Sequence, residues 1–206
     1  MNLVECVSAQ INESIKTKLT VLATLPTAIA ASGDLLSKAL SSGNKILCCG
    51  NGGSAADAQH FSAELLGRYV KERPSLPAIA LTTDTSTLTA VGNDYGYEHV
   101  FSRQIQSLGN AGDVLIAIST SGNSPNIIAA INAARTRNMH VIALTGKGGG
   151  KMANLLLPQE HHVCVPADIT SHIQEAHIMI LHCWCEIIDL QHASTPVIEA
   201  ESALAQ

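Results

Sequence analysis

Aromatic side chains and charges are both scarce in this sequence. Only 3% of its 206 residues are aromatic, and 14% are charged, against the ~25% charged usual for soluble domains. Low charge with 46% apolar content excludes intrinsic disorder, which needs the reverse combination. It also leaves a monomer with more apolar surface than polar groups can cover, which points to an oligomer. A Lys/Arg block is missing, and the net charge is −5 from 12 basic and 17 acidic residues. Direct nucleic-acid binding through phosphates is therefore not expected. No stretch approaches the ~18 uninterrupted apolar residues of a membrane span. The opening MNLVECVSAQINESIK has neither a basic n-region nor an apolar h-region, so no signal peptide is expected and the location reads as cytoplasmic. The six cysteines form no CxxC pair. Cys48–Cys49 and Cys183–Cys185 lie inside apolar segments and read as reduced, buried thiols.

What is present is a rhythm of short apolar runs and helical patterns, in a length that suits one domain over 1–206. Helices are predicted over 3–25 and 27–41, so that residues 1–42 form a helical extension packing in the oligomer. Buried strands are predicted at 45–49, 77–81, 113–118, 140–144 and 162–165. Helices are predicted over 54–66, 85–91, 97–108, 125–136 (with proline in its first turn) and 170–190. The tail after Ser194 carries no clear pattern. Apolar strands alternating with helices imply an α/β fold: a doubly wound, five-stranded parallel sheet of flavodoxin-like, Rossmann-like order. Ligands of such sheets bind at the carboxyl ends of the strands, so the strand-to-helix turns are where function should lie.

The first such turn is Gly50-Asn51-Gly52-Gly53-Ser54. Glycines let the backbone approach a ligand, and the next helix offers free N–H groups. The match to a dinucleotide fingerprint is loose, and the acidic ribose contact is missing at the end of the second strand. A tight turn that binds nothing is the plainer alternative. The third strand ends in Ser119-Thr120-Ser121-Gly122-Asn123-Ser124, with four hydroxyls in six residues before a helix. One would serve as a cap; four make a cradle for phosphate or carboxylate. Lys147-Gly148-Gly149-Gly150-Lys151 is not a Walker loop, because Met152 follows where Ser or Thr is needed. His60 and Glu64 share one helix face, a spacing that is equally that of an ordinary surface pair. His182, between Ile180, Leu181, Cys183 and Trp184, reads by itself as a core histidine. Asn93-Asp94 by itself is a turn signal.

Together these residues resemble the sugar isomerase (SIS) domain family. The blocks that carry the resemblance are CGNGGSAADAQHFSAELLGRY, RPSLPAIALTTD, VGNDYG, GDVLIAISTSGNS, ALTGKGGGKMA and IQEAHIMILH, in one order over nearly the whole chain. The family's heptose-phosphate isomerases match best. The resemblance implies a homotetramer with active sites between subunits. It implies interconversion of D-sedoheptulose 7-phosphate and D-glycero-D-manno-heptose 7-phosphate, the first step toward ADP-heptose for the lipopolysaccharide core. It places phosphate on Ser119, Thr120, Ser121 and Ser124, and the sugar on Asn51, Gly52, Gly53, Asn93 and Asp94. It also implies zinc on His60, Glu64, Gln174 and His182, with Glu64 and Gln174 touching substrate as well. Some members carry aspartate three residues before the glutamine, where this chain has Ser171.

Moving a carbonyl between neighbouring carbons passes through an enediolate, which needs a base, an acid and a holder of negative charge. Glu64 is assigned the carbon proton and His182 the proton shuttle between oxygens, with zinc polarising those oxygens. Gln174 and His182 are eight residues apart, about 12 Å along a helix at ~1.5 Å per residue. One of them is therefore expected to reach the metal from a second subunit. A non-enzymatic alternative exists in the same family: a tetrameric scaffold that binds the replication initiator protein. That scaffold lacks the catalytic carboxylate and the terminal-helix histidine, and Glu64 with His182 favours the isomerase.

Overall fold

The computed structural model describes residues 2–192; the tail after Ser194 lies outside them. Helix α1 (Leu3–Thr24) opens on a capping box, in which Asn2 accepts from the Glu5 N–H and Glu5 accepts from the Asn2 N–H. Helix α2 (Pro26–Ser41) has proline at its first position, where the missing N–H costs nothing. Then follow β1 (Ile46–Cys49), α3 (Gly53–Leu66), β2 (Ala78–Ala80), α4 (Thr85–Tyr95), a 3₁₀ turn (Tyr97–His99), α5 (Ser102–Leu108), β3 (Val114–Ser119) and α6 (Pro125–Thr136). The chain continues with β4 (His140–Thr145), a second 3₁₀ turn (Lys147–Gly149), α7 (Gly150–Leu155), β5 (His161–Cys164) and α8 (Thr170–His192).

The five strands are parallel in the order β2-β1-β3-β4-β5, the doubly wound arrangement expected from the pattern. Strand side chains alternate between two cores. Ile46, Cys48, Val114, Ile116, Ile142 and Leu144 face α2, α3 and α8. Leu47, Cys49, Leu115, Ala117, Val141 and Ala143 face α5 and α6. The first core is centred on fully buried Trp184, whose indole N–H is shared between the Ile29 carbonyl at 3.1 Å and the Ser32 hydroxyl at 3.0 Å. Gly33 makes this close approach of α2 and α8 possible, because a Cβ there would meet Trp184 and Ile187.

Some expectations are corrected. Asn93 and Asp94 lie inside α4 rather than in a turn. Asp84 caps that helix by accepting from the Thr87 N–H at 3.0 Å, and it runs on to Gly96, whose φ of +91° ends it. The segment 97–108 is not one helix but a 3₁₀ turn and α5. The glycine-rich stretch at 147–151 starts α7, which the sequence pattern did not show. Cys48, Cys49 and Cys185 are buried as expected, but Cys183 is exposed. The helical period explains this: Ile180, Leu181, Trp184, Cys185 and Ile188 face inward, and position 183 falls on the other side. Of the N-terminal helices, α2 belongs to the core. Helix α1 buries only Ser14 and Val21.

Candidate active site

The strand order reverses direction between β1 and β3, which are hydrogen-bonded neighbours from Ile46↔Val114 to Cys49↔Ala117. The chain leaves β1 for α3 on one face of the sheet and β3 for α6 on the other. A crevice opens between the two exits, as at any topological switch point. The glycine turn and the hydroxyl loop, distant in sequence, form its two walls.

The hydroxyl loop is held in shape by backbone bonds from the segment after β4. Gly146 N–H donates to the Thr120 carbonyl at 3.2 Å, Met152 N–H to the Gly122 carbonyl at 2.9 Å, and Lys151 N–H to Asn123 Oδ1 at 3.0 Å. Gly122, at φ +64°, packs so tightly that a Cβ would collide with the Gly149 carbonyl. The Ser119 and Ser124 hydroxyls lie 3.1 Å apart. The loop leads straight into α6, where Pro125 has no N–H, the Ile127 and Ile128 N–H groups each donate to the Ser124 carbonyl at 3.1 Å, and the Asn126 N–H has no partner among the described residues. The loop hydroxyls and the Asn126 N–H thus lie at one helix start without a lysine, which suits an anion.

On the opposite wall, Gly53 opens α3 with its backbone against the Gln174 amide, where a Cβ would collide. The Asn51 side chain is bonded to Asn126 and to the Tyr97 hydroxyl. Asn93 and Asp94 are exposed and bonded to each other at 2.7 Å. They sit in the last turn of α4, just before the 3₁₀ turn that carries Tyr97.

Further along α3, the structure brings His60, Glu64 and His182 together. His60 Nε2 lies 2.8 Å from His182 Nε2 and 3.3 Å from Glu64 Oε1. The His182 ring also stacks on Tyr69, with centroids 5.6 Å apart. One donor atom from each of the three residues falls within 4.8 Å of the others. Two imidazoles and a carboxylate at this spacing fit a zinc ion by donor chemistry. Gln174 does not join them: it lies at Gly53, seven residues before His60 on α3. His182 is thus no core histidine; it is half-buried beside α3.

Sequence reasoning missed three neighbours. Asp57 is 8% exposed, and its Oδ2 has no hydrogen-bond partner among the described residues. Burial raises its pKa to about 6. Its position three before His60 places it on the same helix face, which was the available signal. Arg73 donates from Nη2 to the Glu64 carbonyl at 2.9 Å and from Nη1 to the Leu65 carbonyl at 3.0 Å, fixing the end of α3. Asn126 left no signal beyond its place after the hydroxyl loop.

Behind the loop, Thr145 ends β4 opposite Ser119. Its carbonyl accepts from His177 Nε2 at 3.0 Å, and its hydroxyl bonds His162 Nε2 at 2.7 Å. His177 is fully buried, and burial pushes its pKa from 6.5 down to about 4, the Thr145 carbonyl opposing weakly. The unfolded chain therefore takes up this proton first. The contribution of His177 to stability is complete above about pH 6.5 and falls between there and pH 4, by on the order of 3 kcal/mol. Asp57 acts in the opposite sense, stabilising as pH falls below about 6. Melting temperatures from pH 7 to pH 4 should therefore fall less in His177→Leu than in the parent; parallel curves would contradict this.

This architecture, an anion cradle and a His-Glu-His group at the switch point of a parallel sheet, defines a domain built to hold a phosphorylated small molecule beside acid–base groups. Residues 10–146 match the family model for the SIS domain, so the chain is a SIS-domain protein. It is 56% identical over 189 residues to the phosphoheptose isomerase of Azoarcus sp. (strain BH72), covering 92% of this chain and 96% of that one. It is 54% identical to that of Shewanella sp. (strain ANA-3), covering 91% and 95%. The solved phosphoheptose isomerase of Neisseria gonorrhoeae superposes with a TM-score of 0.87 at 51% identity, over 92% of this chain and 100% of that one. The Francisella tularensis structure gives 0.90 at 44% identity, with the same coverage. The chain belongs to the phosphoheptose isomerase family.

Proposed function

We propose that this chain, an aldose–ketose isomerase by family, interconverts D-sedoheptulose 7-phosphate and D-glycero-D-manno-heptose 7-phosphate, at the head of ADP-heptose synthesis for the lipopolysaccharide core. The observation that carries this is the meeting of His60 with His182 at 2.8 Å and with Glu64 at 3.3 Å, one donor atom from each of the three lying within 4.8 Å of the others. Ser119, Thr120, Ser121 and Ser124 bind the phosphate. Asn51, Gly52, Gly53, Asn93 and Asp94 line the sugar, with Asn51 at its phosphate end. Glu64 takes the proton from the carbon beside the carbonyl and returns it to its neighbour, while His182 moves the proton between the two oxygens. His60 flanks His182, their Nε2 atoms 2.8 Å apart. A replication scaffold is not supported: the relatives above are isomerases, and a scaffold has no use for a paired Glu64 and His182.

His60, Glu64 and His182 would hold zinc, with Gln174 of a second copy as fourth donor, because this chain's own Gln174 lies against Gly53, at the other end of α3. Bound there, the ion supplies Lewis-acid polarisation of the carbonyl and hydroxyl oxygens. Assembly as a homotetramer is supported by α1, whose Leu3, Val4, Val7, Ile11, Ile15, Leu19 and Leu22 are 48–86% exposed. A groove of about 500 Å³ beside that stripe is lined by Ile15, Leu19, Leu22, Met179 and Ile187. Apolar area of this extent is covered by other copies. A cytoplasmic location is supported by six free cysteines, which suit a reducing compartment. No single described helix is long and apolar enough to cross a membrane.

The test is to incubate the protein with sedoheptulose 7-phosphate, with and without chelator, and to assay the aldose. Product is expected, and its rate should collapse on chelation and return with zinc. Absence of aldose under every metal condition would overturn the proposal.

A further inference from the structure

Asn51 does more than line a pocket, and its bonding shows how. Its side-chain amide and that of Asn126 pair reciprocally. Asn51 Nδ2 donates to Asn126 Oδ1 at 2.9 Å, and Asn126 Nδ2 donates to Asn51 Oδ1 at 2.8 Å. The Tyr97 hydroxyl donates to the same Asn51 oxygen at 3.2 Å. An amide oxygen has two lone pairs and an amide nitrogen two hydrogens. Both lone pairs of Asn51 are thus used, and one of its hydrogens. A single N–H is left for a ligand, and no acceptor.

The supports of this arrangement are unequal. Asn126 is 2% exposed, in the first turn of α6, directly after the hydroxyl loop. Tyr97 is 61% exposed, on the 3₁₀ turn after α4. The three residues belong to different elements, which only the adjacency of β1 and β3 brings together. A half-buried amide facing a buried one cannot rotate alone without setting donor against donor.

We propose that Asn126 is a positioning residue and that Asn126 and Tyr97 together turn Asn51 into a fixed one-proton donor beside the phosphate cradle. The ligand group that suits it is an acceptor without hydrogens, namely an oxygen of an ionised phosphate ester. Asn51 lies at the opposite end of α3 from Glu64, eleven residues beyond Gly53 and so about 16 Å away at ~1.5 Å per residue. Its bond is therefore made equally to bound substrate and to transition state. Such an interaction sets KM and leaves kcat alone.

The inference rests on the reading of the hydroxyl loop as the phosphate site, so its experiment uses inorganic phosphate as well as turnover. Phosphate affinity is measured by calorimetry, and kcat and KM separately, for Asn51→Ala, Asn126→Leu, Tyr97→Phe and the double variant Asn51→Ala/Asn126→Leu. Asn126→Leu should weaken phosphate binding and raise KM by roughly tenfold, and Tyr97→Phe by a few-fold, with kcat within about twofold of the parent. In the Asn51→Ala background the Asn126 substitution should add nothing, because it acts through Asn51. Effects that add in the double variant, a loss confined to kcat, or unchanged affinity in both single variants would each overturn the proposal. Tyr97→Phe removes only an exposed hydroxyl, so it remains informative if Asn126→Leu folds poorly. Failure of the parent itself to bind phosphate would instead refute the reading of the loop.

Discussion

Replacing Glu64 with glutamine should lower turnover by about 10²–10⁴-fold or more while inorganic phosphate binds as tightly as before. The amide has the same shape and can still meet His60, but it cannot accept a proton from carbon. The phosphate loop, at the far end of α3, does not sense the change. Helix α3 itself is unaffected, because glutamine and glutamate are equally good helix formers and the helix end is held through the backbone carbonyls of Glu64 and Leu65. The readouts are kcat with sedoheptulose 7-phosphate and the inhibition constant of phosphate. Turnover within tenfold of the parent would remove Glu64 from the role of base.

The largest effect on stability is expected at Asp189. The side chains of Arg73 and Asp189 are both 0% exposed and meet at 2.8 Å. Asp189 also accepts from the N–H groups of Val70 at 3.1 Å and Lys71 at 2.9 Å. Burial pushes its carboxyl upward, yet the Lys71 N–H, the Arg73 guanidinium and the Val70 N–H outweigh this and leave its pKa below the ordinary value. Asp189→Asn turns an acceptor of three bonds into a group that must aim its own hydrogens at donors. It also strands a buried guanidinium. A loss of about 3–5 kcal/mol follows, or roughly 10 °C in Tm. Because Arg73 also grips the Glu64 and Leu65 carbonyls, kcat should fall with it. The double variant Arg73→Met/Asp189→Leu, which removes both charges, should recover much of the stability. A Tm change under about 2 °C in Asp189→Asn would show that the pair is not the clamp described.

Glu64 could be singled out beforehand because its partner His60 is one turn away on the same helix. Arg73 and Asp189 carried no such sign, since a charged residue in a sequence does not announce that it will be buried. The same holds for Asn126 and Tyr97, whose value lies wholly in what they touch. Asn93 and Asp94 read as a turn because local composition cannot show that the Asp84 cap and Gly96 set the limits of one continuous helix.

The alternation of apolar strands and helices, the parallel sheet that follows from it, and the two turns able to hold an anion are all legible in the chain's local pattern. Those features are contiguous, and glycines, hydroxyls and hydrophobic periodicity act over a few residues. Long-range packing, by contrast, makes β1 and β3 neighbours, so that the two turns face one crevice. It also decided that His182, set in an apolar stretch, turns toward α3 to meet His60 and Glu64 while Gln174 stays at Gly53. These outcomes depend on how α8 packs against α2 and α3 around Trp184. Burial of apolar surface is non-directional and is summed over the whole chain, so no local stretch of sequence states its result.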